Sequence, residues 1–209
     1  MTRSAPLRLG VLLSGTGRTL DHLLAESRAG RLPVEIVGVI ASRADVRGFA
    51  RAREERLPAA ILRSRDFDSP ASYGAAIAAQ LREWRVELAA MAGFLKLWTI
   101  PADFAGRVMN VHPALLPAFG GKGMHGERVH AAVIASGVKL SGCTVHFADD
   151  AYDSGPIILQ RSVPVRFEET PQSLAERVFA VERTAYPEAI ALFAAGRLEI
   201  VGRRVRILP

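Results

Sequence analysis

Asn110 and His112 stand on either side of Val111 in the stretch RVMNVHPALLP, residues 107–117. Along a β-strand successive side chains alternate between faces, so both polar groups point the same way and offer hydrogen-bond donors to one point. Pro113 and Pro117 stiffen the chain where it leaves the strand. A carboxylate such as Asp153, in the DSGP turn of residues 153–156, would orient the imidazole and favour its charged form if it arrived on a separate loop. Two donors aimed at a developing negative charge outline an oxyanion site for acyl transfer.

Each residue has a plainer reading on its own. A lone histidine is most often a satisfied core residue, and Asp153 before Gly155 and Pro156 suits a turn. It is the combination that points to catalysis. His22, His125, His130 and His146 show no zinc spacing with cysteines or carboxylates, so no metal is expected. No G-x-S-x-G nucleophile motif occurs, and Cys143 lies mid-strand among apolar residues, where a thiol is inert. The chemistry expected is direct transfer between two bound substrates. A second candidate is GTGRTL at residues 15–20, between a first strand and a first helix, where backbone N–H groups and the helix dipole favour a phosphate. Leu20 replaces the third glycine of a dinucleotide fingerprint and no lysine follows, so a small phosphate monoester fits better than a dinucleotide or a triphosphate. A tight turn without a ligand is the alternative.

An alternation of strands and helices must hold these groups. Residues 7–13 form an apolar strand that stops at the turn SGTGR, and residues 19–28 read as a helix with Leu20, Leu23 and Leu24 on one face. Residues 34–40 make a second buried strand, 46–56 a second helix and 59–62 a short third strand, the β-α-β-α-β order of a parallel sheet. Turn chemistry at 66–70 introduces a helix over 71–84, and a strand over 86–91 leads to Gly93 and the loop 94–99. After Pro101 come a short helical turn, the strand carrying Asn110 and His112, and the glycine-rich excursion AFGGKGMHGE. Residues 127–136 read as a helix closed by Gly137, and 143–147 and 157–165 as strands, with Pro164 placing the last near a sheet edge. The longest helical pattern, 172–195, is ended by Gly196 and interrupted by Pro187, which predicts a break or kink. RLEIVGRRVRI alternates around Gly202 as a terminal hairpin. The fold class is therefore α/β: a single domain built on a mostly parallel twisted sheet with helices on both faces and a Rossmann-like N-terminal half.

With 209 residues the chain is long enough for one sizeable core and short for two. Its 49% hydrophobic and 23% charged residues are ordinary for a soluble globular protein. No apolar run nears the roughly 18 residues of a membrane span. The N-terminus enters a strand without a secretory pattern, and the lone Cys143 has no internal disulfide partner, so a cytoplasmic setting is expected. The net charge of +6 is almost all arginine, with lysine only at Lys96, Lys122 and Lys139. Scattered along the chain without aromatic interleaving, it suits attraction of small polyanions rather than nucleic acid.

SGTGRTL, MAGFLKLW, NVHPALLP, VHFADDAYDSGPIILQ and ERVFAVERTAYPEAI occur in the order and spacing of the phosphoribosylglycinamide formyltransferases, which the chain resembles over nearly its whole length. These folate-dependent enzymes of purine synthesis move the formyl group of 10-formyltetrahydrofolate to the amine of 5'-phosphoribosylglycinamide. Paired N-x-H-P-x-L-L-P and D-x-G-P motifs mark formyltransferases using that donor. A methionyl-tRNA formyltransferase would carry an extra C-terminal domain and a formyltetrahydrofolate deformylase an N-terminal regulatory one, and the expectation from length is that neither is present.

The resemblance implies the formyltransferase fold, with residues 1–100 as the phosphoribosyl-binding half and 101–209 as the folate-binding and catalytic half. It implies that Gly17, Arg18 and Thr19 hold the ribosyl phosphate and that Phe179, Ala180, Val181 and Glu182 reach the same substrate, Glu182 on the ribose hydroxyls. Pro70, Leu95, Lys96, Leu97, Trp98 and Asn110, with Asp149, Asp150, Ala151, Tyr152 and Asp153, would line the folate site. Asn110, His112 and Asp153 would carry catalysis. Arg18-Thr19 stands where the family has Ser-Asn, Phe179 where it has a polar residue, and Pro70 where an arginine often contacts folate; Arg18 would supply charge to the phosphate. The implied partners are two small molecules, with no metal, nucleic acid or membrane, in a monomer or homodimer. Two other functions fit the residues less fully: the same donor with another acceptor, such as a sugar-nucleotide amine or water, and a nucleotide-binding module without catalysis.

Overall fold

The structure, a computed structural model, describes residues 5–209. Contacts along the chain cluster into two compact units: residues through 110 with 194–196, and residues 111–193 with 197–209.

In the first unit, β1 (Leu7–Leu13), β2 (Val34–Ala41), β3 (Ala59–Ile61), β4 (Leu88–Met91) and the start of β5 (Val108–His112) run parallel in the order β3-β2-β1-β4-β5. β1 and β2 are apolar almost without interruption, as parallel strands covered on both faces must be, and nearly every residue in them is buried. α1 (Arg18–Arg28), α2 (Arg47–Glu54) and α3 (Pro70–Glu83) make the crossovers. α1 buries Leu20, Leu23 and Leu24, the face expected from their spacing. α3 begins at a capping box in which Ser69 and Ser72 exchange side-chain to backbone hydrogen bonds, with Pro70 as its first residue. α2 is shorter than the pattern at 46–56 suggests, because Val46 is extended and Arg56 adopts a positive φ of 56°.

The sheet grows from β1 through β2 to β3 and then resumes on the other side of β1 at β4. With right-handed crossovers this order puts α1 and α2 on one face and α3 on the other. The segments that follow β1 and β4, where the order reverses, are tied together: Ser14 N–H donates to the Gly93 carbonyl at 3.1 Å, and Leu95 N–H to Ser14 Oγ at 3.0 Å.

The second unit is mixed. β6 (Leu140–Phe147) pairs antiparallel with β7 (Ile157–Pro164), which meets β9 (Arg204–Ile207) in parallel at Ile157, and β9 closes the terminal hairpin with β8 (Leu198–Val201). β6 begins three residues before the expected strand and is buried from Ser141 onward. α4 (Glu127–Ala135) buries Val129, His130 and Val133. α5 (Pro171–Ala194) runs through Pro187 without the break that was one of the two expected outcomes there. Proline removes one backbone donor, but Ala185, Tyr186, Ala189 and Ile190 around it are buried, and their packing holds the turn.

Candidate active site

His112 ends β5 with only 4% of its side chain exposed, and Asp153 reaches it from the loop between β6 and β7 with 11% exposed. Nδ1 of the ring lies 3.4 Å from Asp153 Oδ2, and Nε2 lies 2.8 Å from the Phe119 carbonyl. Acceptors therefore face both ring nitrogens, and only a ring protonated at both can donate to both. The ring is thus held between a carboxylate and a carbonyl at the end of β5.

The loop that delivers Asp153 is shaped by its own first carboxylate. Asp149 accepts from Ser154 Oγ at 2.7 and 2.8 Å and from Ala151 N–H at 3.1 Å, an Asx-type turn. Asp153 adopts φ 53°, in the left-handed region that Asp tolerates better than most residues. Gly121 N–H donates to its Oδ2 at 2.9 Å. A Cβ at Gly120 would stand 2.5 Å from Leu116 Cδ2 and 3.3 Å from Asp153 Cβ, so that segment of the glycine-rich excursion passes close only because it lacks a side chain.

Residues to which the sequence assigned no role surround this pair. Thr144 Oγ1 donates to the Ala114 carbonyl at 2.7 Å and accepts from Leu116 N–H and Gln160 Nε2, each at 3.0 Å, which fixes the segment leaving β5. His146 places Nε2 3.8 Å from Asp153 Oδ1 and donates Nδ1–H to the Phe147 carbonyl at 2.8 Å. Burial pushes the His146 imidazole below its usual value, against the Phe147 carbonyl and Asp153, so it remains neutral. Thr144 and His146 stand two apart on β6, the same period-two spacing as Asn110 and His112. That was the signal available in CTVHF. His130 is also buried and pushed low, by burial first and then by charge on His112.

The other expected site residues fall at loop and helix ends. Gly17 is the N-cap of α1 at φ 83°, where a Cβ would stand 2.7 Å from the Gly48 backbone, and no side chain caps the helix there. Arg18 and Thr19 open the same helix. Pro70 starts α3, and Leu95 to Trp98 follow β4 in the first unit. Leu95 and Lys96 are exposed, while Trp98 is buried with its indole N–H lacking a hydrogen-bond partner among the described residues. Asn110 closes the first unit, half-buried on β5 opposite Met91. Phe179 to Glu182 lie within α5, with Ala180 exposed and the others half-buried. Cys143 is buried in β6, and burial pushes its thiol up to about 12, which removes it as a nucleophile.

The formyl transferase family pattern matches residues 7–190, which spans both compact units. The chain belongs to the formyl transferase family. A solved structure of glycinamide ribonucleotide transformylase 1 from Symbiobacterium toebii is similar at 42% identity and TM-score 0.91, covering 99% of this chain and 96% of that one. A phosphoribosylglycinamide formyltransferase, chloroplastic, of Vigna unguiculata is 37% identical over 196 residues, 91% of this chain and 62% of its own length. The trifunctional purine biosynthetic protein adenosine-3 of Gallus gallus is 34% identical over 93% of this chain, which spans only 19% of that protein. As in other formyl transferases, the fold is one α/β domain on a mostly parallel sheet.

Proposed function

We propose that this formyl transferase moves the formyl group of 10-formyltetrahydrofolate to the amine of 5'-phosphoribosylglycinamide, releasing tetrahydrofolate, as a step of purine synthesis. The observation that carries the reading is the buried His112 and Asp153 pair, 3.4 Å apart, with acceptors at both imidazole nitrogens. Likeness to glycinamide ribonucleotide transformylase 1 of Symbiobacterium toebii supports the choice of acceptor.

In this mechanism the substrate amine attacks the formyl carbon on N10, giving a tetrahedral carbon with an oxyanion. Asn110 and His112 donate to that oxygen, while Asp153 at 3.4 Å orients the ring. The Nε2–H now given to the Phe119 carbonyl is handed to the oxyanion, so the segment around Phe119 yields as substrate enters. The bond to N10 then breaks, and the proton lost by the attacking amine reaches N10 through a water held by Asp153.

The assignment of substrate contacts follows the likeness to the formyltransferases. Gly17, Arg18 and Thr19 at the start of α1 hold the phosphate, where uncapped helix N–H groups and the dipole favour an anion. Phe179 to Glu182 reach the same substrate, Glu182 at the ribose. Leu95 to Trp98, with Pro70, Asn110 and the loop Asp149 to Asp153, receive the folate, and no metal takes part. The division into a phosphoribosyl-binding first half and a folate-binding second half, and a cytoplasmic setting, belong to the same reading.

Purified protein supplied with both substrates tests it. Tetrahydrofolate should appear only when phosphoribosylglycinamide is present, one for each amine formylated. Release of folate without the amine would make water the acceptor and overturn the proposal.

A further inference from the structure

Gln160 lies on β7 directly opposite Thr144 of β6, so the two side chains share a face of the sheet. Its amide nitrogen donates one N–H to Thr144 Oγ1 and the other to the Leu116 carbonyl, each at 3.0 Å. Thr144 Oγ1 is fully used in turn, accepting from Gln160 and from Leu116 N–H while it donates to the Ala114 carbonyl. Both backbone polar groups of Leu116 are thereby held by side chains, one from each strand of the β6 and β7 pair. The segment so held leaves β5 after His112 and belongs to no helix or strand of its own.

Leu116 in turn seats the groups that touch His112 and Asp153. Phe119 stands at φ 56°, a left-handed conformation that costs a non-glycine residue energy and persists only where its surroundings hold it. Its carbonyl accepts from His112 Nε2 at 2.8 Å, and Gly121 N–H donates to Asp153 Oδ2 at 2.9 Å. Gly120, between them, packs so closely on Leu116 that a Cβ there would stand 2.5 Å from Leu116 Cδ2. Thr144 is fully buried, whereas Gln160 is exposed. Without the Gln160 amide the Leu116 carbonyl would turn to water, which satisfies the acceptor but does not tie it to β7.

We propose that Gln160 is a positioning residue for the transfer reaction, acting through Leu116 on the ring of His112 and the carboxylate of Asp153. The inference rests on the role given to that pair in the function proposed above. Gln160 fixes the root of the segment, so the part around Phe119 yields to substrate while the exit from β5 stays in place. The residue type matters because one nitrogen must donate to two acceptors. Glutamate has the same shape but sets oxygen against oxygen, and methionine has similar length but no donor.

Gln160→Met and Gln160→Glu test this in the full chain, each with melting temperature, steady-state kinetics and NMR of the histidine ring nitrogens. The direct readout is the Nε2–H of His112 in the substrate-free protein, assigned by its loss in His112→Ala, because the Phe119 carbonyl can only accept. Both variants should melt near wild type, as exposed substitutions do. They should lower kcat by about 10- to 100-fold with KM little changed, the effect of a reacting group displaced from its working position. The Nε2–H signal should shift and exchange faster with solvent. Wild-type kcat in Gln160→Met, or a reduced kcat with an unchanged ring signal, overturns the proposal. So does a rise in KM at constant kcat, which would make Gln160 a substrate contact. Should one variant fail to fold, the other decides. If the wild type formylates no amine, the function proposed above fails by itself, and the ring signal of the variants still decides whether Gln160 positions His112.

Discussion

Asp153 holds a left-handed backbone conformation, accepts a backbone N–H from Gly121 and faces two imidazoles, so its carboxylate is the most constrained polar group of the site. Asp153→Asn keeps the shape and removes the charge. It should lower kcat by about 10²–10⁴, the range for a positioned proton-transfer group, with smaller changes in substrate affinity. Asn110→Ala should cost about 10²–10³ in kcat, as for loss of one oxyanion donor. Steady-state kinetics with binding calorimetry separates rate from affinity in both variants. His130 and His146 set a different dependence. Both are pushed below 6.5 by burial, so the unfolded chain takes up protons near that pH while the folded chain does not. Their burial therefore favours the fold fully above about pH 6.5 and progressively less as pH falls. Thermal melting should drop on acidification below that value, and His130→Leu should flatten part of the slope. The pair His112 and Asp153 was legible because each sits in a proline-bounded motif. His146 was not, because its role depends on contacts between β6 and a loop that no spacing to cysteine or carboxylate reveals.

Elements with strong local signals stand where their residues place them. The α1 face of Leu20, Leu23 and Leu24 follows helical spacing, and Ser69, Pro70 and Ser72 together start α3. Ser69→Ala should cost about 0.5–2 kcal/mol of stability, read from denaturant unfolding, because it removes the acceptor for Ser72 N–H. Gly17→Ala should be worse. Its added Cβ meets Gly48 Cα at 2.7 Å on a backbone at φ 83°, a combination worth about 1–3 kcal/mol, and phosphate binding at the start of α1 should weaken with it. α5 shows where local reasoning ends. A proline inside a helix breaks it when its turn is exposed, but buried neighbours on either side of Pro187 outweigh one lost hydrogen bond. Burial of those neighbours depends on the rest of the fold, so a proline in the sequence could not by itself tell a break from a continuous helix.

At the scale of the molecule, the alternation of strands and helices through β4 already implied a parallel sheet. Composition could not show that the second unit is mixed, since β6 and β7 are joined by a loop longer than a tight hairpin. The net charge of +6 favours anionic substrates over the whole surface. KM for both substrates should accordingly rise with ionic strength, while kcat at saturation changes little, because the buried pair is screened far less than exposed arginines. The central claim is the proposal that the buried His112 and Asp153 pair serves formyl transfer to an amine. The most direct measurement follows the formyl carbon by NMR, using ¹³C-labelled 10-formyltetrahydrofolate, phosphoribosylglycinamide and either wild-type protein or Asp153→Asn. The expected result is transfer of the label to the amide of the ribonucleotide by the wild type, with the folded variant slower by at least about 100-fold. Label appearing as free formate, or transfer by the variant at the wild-type rate, would contradict it.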